Sequence, residues 1–160
     1  MSKVAVQFAL GLIACAGMAM VGHAARAESL YVVGGDARSM NLIDMESVKR
    51  SAGVARFSQS VAYPGTPEDK VYTVRAVLEF NCKEGKVRTL STVSYGLDDG
   101  VLTSSAAPTD WQDAPAGTLM AKYGKLACGK MQPDPKDAVD DKLPKIAKTY
   151  RTAVASGAVK

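Results

Sequence analysis

The sequence predicts an α+β domain: a meander of about six antiparallel strands, with a C-terminal helix held to it by a disulfide. Three observations carry this. Residues 71–82 form the longest β-favouring run, with Tyr72, Val74, Ala76, Leu78, Phe80 and Cys82 alternating against Thr73, Arg75, Glu79 and Asn81. The β-favouring runs follow one another across connections too short for a parallel crossover. Cys82 ends the inward row of the longest run, and Cys128 closes a helical pattern over residues 119–127.

In chain order, residues 1–27 read as a secretory signal peptide. Lys3 supplies the positive start, residues 4–21 are apolar apart from Gln7, and Ala25-Arg26-Ala27 offers a small-x-small cleavage site before Glu28. A retained membrane anchor is the rival reading. A second alternative is a lipoprotein, because Leu12-Ile13-Ala14-Cys15 resembles a lipid-attachment box. Residues 16–21 stay apolar where a polar tether is usual, so cleavage after Ala27 is favoured. The protein is therefore expected to be exported, to the periplasm or the cell surface, with no transmembrane span after processing.

Cleavage removes Lys3 and Arg26 from 20 basic residues set against 16 acidic ones, lowering the formal charge from +4 to +2. That small excess argues against nucleic acid as a partner. It also removes His23, the single histidine of the chain. Without histidine, neither a Ser-His-Asp triad, nor a Cys-His dyad, nor a His-ligated zinc site can form. Two cysteines then remain, Cys82 and Cys128, and in an exported chain they imply one disulfide. A reduced redox pair normally uses C-x-x-C spacing, which is absent.

Residues 29–33 suit a first strand, stopped by Gly34-Gly35. That pair lacks the third glycine and the lysine of a phosphate loop and reads as a turn. A second strand spans residues 40–48. In the third, Ala55, Phe57, Val61 and Tyr63 alternate with Arg56, Ser58 and Ser60, leaving one wet face. Residues 64–69 form a loop rich in Pro and Gly. The 71–82 strand turns at Lys83-Glu84-Gly85 into residues 86–97, where Val87, Val93, Tyr95 and Leu97 share the inward parity. Asp98-Asp99-Gly100 is a hairpin turn leading to a last strand from Val101. Trp111 is expected to cap the open end of the core, and Pro115 and Gly117 to shape the approach to a helix capped by Thr118.

Residues 28–129 thus form the folded domain, and residues 130–160 a polar or amphipathic tail. Leu143, Ile146, Ala147, Tyr150 and Val154 make an apolar stripe at helical spacing. Asp134-Pro135 suits a helix start, and Pro144 is expected to kink the helix. A docked helix and a frayed tail both remain open.

An ordered set of features runs through residues 30–128. It comprises an Ile43-Asp44 strand backed by Ser47-Val48, an apolar strand ending in Cys82, and basic Lys83, Lys86 and Arg88. Tyr95 before Asp99-Gly100, and Trp111 leading through 115–118 to Cys128, complete it. In these the chain resembles the surface-adhesin protein E family of small exported bacterial domains. The resemblance implies an antiparallel sheet with a disulfide-held helix, in a cell-envelope protein whose relatives adhere to host extracellular-matrix proteins.

Among the charged residues, Asp98 and Asp99 suit a turn for backbone reasons, and Asp44 and Glu46 suit a solvated strand face. Neither pair predicts a metal site, and no cofactor is expected. Lys83, Lys86 and Arg88 follow Cys82, while Lys122, Lys125 and Lys130 surround Cys128 with no acidic residue among them. The disulfide would bring both sets to one end of the molecule, as a surface for an acidic protein, a glycan or extracellular matrix. The plainer alternative is lysines scattered over a small solvated domain. The reading is a non-enzymatic envelope protein acting as a binding or adhesion module. A periplasmic structural or assembly factor is the alternative, and an enzyme ranks third.

Overall fold

In the computed structural model, residues 29–65 and 70–160 are described. The leader, with Cys15, His23 and the 25–27 cleavage site, and the loop tip at 66–69 lie outside the described residues. Strands β1 (Leu30–Gly35), β2 (Met40–Ser51), β3 (Val54–Ala62), β4 (Thr73–Asn81), β5 (Lys86–Tyr95) and β6 (Val101–Ser105) pair antiparallel in sequence order. The α+β class and the six-strand meander are as the alternation predicts. Two short strands complete an eight-stranded sheet: β7 (Gln112–Asp113) beside β5, and β8 (Ala138–Val139) beside β1.

Helix α1 (Leu119–Ala127) covers one face. Tyr123, Leu126 and Ala127 pack there with Val33, Ile43, Ala55, Phe57, Leu78, Phe80 and Val87. Helix α2 (Leu143–Ala155) covers part of the opposite face. Leu143 and Ile146 pack on Leu30 and Leu42, and Ala147 and Tyr150 on Ala62. The apolar stripe of the tail is therefore buried rather than frayed.

Four local expectations change. Gly34 and Gly35 lie inside β1, opposite Asn41 and Met40, and the turn falls later, where Asp36 N–H donates to the Ser39 carbonyl at 3.0 Å. A side chain at Gly35 would lie 2.9 Å from the Ser39 oxygen, so close backbone approach accounts for the glycine. Asp134-Pro135 opens only a single 3-10 turn, over Pro135–Asp137. Pro144 sits in the first turn of α2, where no N–H is needed, and kinks nothing. The third strand does not keep one wet face, since Ser60 and Ala62 are buried on the α2 side.

A bulge produces the largest departure. Val77 pairs with Ser91 but Leu78 with Thr89, so Leu90 is an extra residue in β5. Val87, opposite Phe80, stays on the α1 side. Val93 and Tyr95, opposite Arg75 and Thr73, are carried to the other face. Leu97 lies beyond the strand and is 61% exposed. Tyr72, expected in the inward row, instead lies against Arg151 of α2, at 5.2 Å from guanidinium carbon to ring centroid.

Close contact of α1 with the sheet depends on Gly124. A Cβ at this position would lie 2.2 Å from the Phe80 ring, which is itself buried. Gly124→Ala should therefore cost about 1–3 kcal/mol despite the better helix propensity of alanine. Chemical denaturation checks this, and an unchanged or raised midpoint would contradict the packing.

Candidate functional site

The disulfide end is assembled from four segments. Cys82 and Cys128 are bonded, with Cα atoms 5.8 Å apart and a sequence separation of 46. Before α1, Gly117 takes a φ of 84°, a conformation that favours glycine. The Thr118 hydroxyl donates to the Pro115 carbonyl at 2.7 Å and accepts the Ala121 N–H at 3.2 Å. Pro115 and Gly117 thus shape the turn that starts the helix.

Three cations then tie α1 to the sheet. Lys122 donates from Nζ to the Val33 carbonyl, and Lys130 donates to the Cys82 carbonyl at 2.7 Å. Arg50 donates from Nε to the Ala127 carbonyl at 2.6 Å. A cation on the last carbonyls of a helix is favourable by about 0.3–1 kcal/mol through the helix dipole. Sequence reading missed Arg50, because only the return of α1 brings its carbonyls to the end of β2. Lys83 and Lys125 are exposed, and their ammonium groups have no side-chain partner among the described residues.

Lys86 and Arg88 do not join this set. They pair with Asn81 and Glu79, alternate with inward Val87, and so point to the face opposite α1. Arg88 donates to Glu79 Oε2 from Nε at 2.9 Å and from Nη2 at 2.6 Å. Its guanidinium lies 4.6 Å from the Trp111 ring centroid. Trp111, expected to cap the core, is 36% exposed and stacks on this arginine instead.

That opposite face, beyond the cover of α2, is the second candidate surface. Register places Lys49, Arg56, Glu79 and Arg88 in one row across β2 to β5, with Trp111 at its end. The next row is Asp44, Ser58, Val77 and Ser91. A hollow of about 500 Å³ lies over Asp44, Lys49, Arg56, Ser58 and Val77. A second of about 200 Å³ shares Asp44, Ser58 and Val77 and continues to Ser91 and Tyr95.

The carboxylates serve the backbone. Asp44 Oδ1 accepts the N–H groups of Ser29 at 3.2 Å and Glu46 at 3.1 Å. Asp98 accepts the Gly100 N–H at 3.1 Å in the hairpin turn. Asp113 stands opposite Lys86 in the pairing of β7 with β5. Among the described residues no group of His, Cys, Asp or Glu is arranged to hold a metal ion.

A family model of the surface-adhesin protein E matches residues 31–129, the sheet with α1 and both cysteines. The chain belongs to the surface-adhesin protein E family. Among solved structures, crystal form II of Haemophilus influenzae protein E is 17% identical, with a TM-score of 0.46 over 66% of this chain and 90% of that one. Protein E from non-typeable Haemophilus influenzae is 16% identical, with a TM-score of 0.43 over 84% of this chain and 92% of that one. No curated protein sequence matches. The adhesin E family model ends just past Cys128, so α2 and its cover of the second face lie beyond the matched region. No helix among the described residues is long and apolar enough to cross a membrane.

Proposed function

We propose that this protein is an exported, non-enzymatic binding module of the cell envelope, adhesin-like in role. Its contact surface is the lysine edge of α1 around the disulfide. Membership of the adhesin E family supports the class of function. The observation that supports the surface is the bond from Cys82 to Cys128, with Lys130 on the Cys82 carbonyl next to exposed Lys83 and with exposed Lys125 three residues before Cys128, while the Lys122 ammonium is held at the Val33 carbonyl of β1. Residues 119–130 hold three lysines and no carboxylate. Such an edge suits an acidic protein, a glycan or an extracellular-matrix surface.

Lys83→Glu with Lys125→Glu tests it, because neither ammonium is engaged in the fold. Retention on a panel of immobilised matrix proteins should fall several-fold for the variant, and also for the wild type as salt rises, since screening acts over about 8 Å at physiological ionic strength. Thermal stability should change by no more than about 0.5 kcal/mol. Unchanged retention would remove this edge from the function. A partner drawn instead from the outer-membrane assembly machinery would favour the structural role.

A further inference from the structure

We propose that the open half of the sheet, on the side away from α1, binds an acidic saccharide chain bearing carboxylate or sulfate groups. The site is separate from the lysine edge and does not rest on it. Its floor is the row Asp44, Ser58, Val77, Ser91, and its rim is the row Lys49, Arg56, Glu79, Arg88. Adjacent strands lie about 4.8 Å apart, so each row runs about 14 Å from β2 to β5. Short side chains in the floor and long ones in the rim make a trough across the strands, filled by the two hollows of about 500 and 200 Å³. On the other side follows the row Leu42, Ser60, Arg75, Val93, with Arg75 lining the smaller hollow, and beyond it Leu143 and Pro144 of α2 stand near Thr73 and Tyr95.

Charge selects the ligand. The rim carries three cations and one carboxylate, Glu79, which pairs with Arg88. With Asp44 and Glu46 at the larger hollow and Arg75 at the smaller, the trough as a whole holds four cations and three carboxylates, and Asp44 is turned to the N–H groups of Ser29 and Glu46. Lys49 and Arg56 are exposed and have no ion-pair partner among the described residues. Arg56 can grip a carboxylate or sulfate through two parallel N–H bonds. The floor offers the Ser58 and Ser91 hydroxyls, which exchange hydrogen bonds with sugar hydroxyls. Glu79 orders the Arg88 guanidinium against the Trp111 ring, leaving the indole part-exposed at the trough end as an apolar platform for a sugar ring. A narrow hydroxylated trough with an aromatic end fits a thin sugar chain better than the broad, side-chain-bearing surface of a folded acidic protein.

Titration calorimetry of the purified protein decides it, with a heparin-derived hexasaccharide, a polyuronate hexasaccharide, a neutral dextran hexasaccharide and a glutamate hexapeptide as probes. At least one of the two acidic sugars should bind, and neutral dextran should not. Lys49→Ala with Arg56→Ala should weaken binding about 10- to 100-fold, the loss expected for hydrogen bonds to charged groups. Trp111→Ala should weaken it about 2- to 10-fold while leaving its salt dependence intact. Lys83→Glu with Lys125→Glu should leave it unchanged, which separates this site from the lysine edge. All of the substituted positions are exposed, and a thermal melt alongside verifies that each variant is folded. The proposal is overturned if neither acidic sugar binds at millimolar concentration, if the Lys49/Arg56 variant binds as the wild type does, if the lysine-edge variant loses binding equally, or if the glutamate peptide binds as tightly as the sugars.

Discussion

Replacing Cys82 and Cys128 with serine should lower the free energy of unfolding by roughly 2–5 kcal/mol. The bond closes a loop of 46 residues, for which restriction of the unfolded chain alone accounts for about 4 kcal/mol. A small domain has a net stability of only ~5–15 kcal/mol, so the loss is a large share. The sheet should persist, because its strands pair in sequence order and need no covalent help. Helix α1 should stay docked but open more often, since Arg50, Lys122 and Lys130 still tie it to β2, β1 and the end of β4. Hydrogen exchange should therefore quicken over residues 119–127 while the amides of β3 and β4 stay protected. Oxidised and reduced protein melting at the same temperature would show that the bond does not stabilise the fold.

Tyr123→Ala should cost about 3–5 kcal/mol, the range for removing a large aromatic from a core. Tyr123 is fully buried, and its ring stacks on Phe57 with centroids 5.9 Å apart. Its hydroxyl donates to the Leu42 carbonyl at 3.2 Å, a contact that reaches from α1 to the sheet strand shared by both cores. Tyr123→Phe isolates that bond and should cost about 0.5–1.5 kcal/mol. The same residue sets a pH dependence. Burial pushes its ionisation well above the usual tyrosine range, outweighing the opposing hydrogen bond with Gln59. Burial, and to a smaller degree the charge of Asp36, raise Tyr150 in the same direction. With the folded state holding its protons more tightly than the unfolded one, this stability is complete below about pH 10 and is lost as pH rises beyond it. Denaturant titrations from pH 8 to 11 should show a shallower alkaline loss for Tyr123→Phe than for the wild type. Equal slopes would mean that Tyr123 is solvated in the folded protein.

Much of this fold is legible from short-range pattern. Alternation marks the strands, the Asp98-Asp99-Gly100 turn and the Lys83-Glu84-Gly85 turn set the meander, and the spacing of Leu143, Ile146, Ala147 and Tyr150 marks the buried stripe of α2. The lysine edge is half legible. Lys83 and Lys130 meet because a covalent bond can be inferred from cysteine count and compartment, but Arg50 reaches Ala127 only through the path of α1 across the sheet.

By itself, the sequence determined the strand order, the pairing of Cys82 with Cys128, the helix that Thr118 starts, and the absence of histidine chemistry after residue 27. These follow from period-two and helical periodicity, turn chemistry and residue inventory, all of which act over a few positions or over none. Tertiary structure alone decided which residues share a surface. One extra residue, Leu90, reverses the facing of every later position in β5, turning Val93 and Tyr95 away from α1. Lys86 and Arg88 lie beside the cysteine strand in sequence yet face away from the lysines of α1, because a strand directs alternate side chains to opposite faces. Whether a sheet face is covered or open then depends on where α2 docks, which no local pattern encodes. The rows that bring Lys49, Arg56 and Arg88 together exist only through cross-strand register, set by packing on both faces at once.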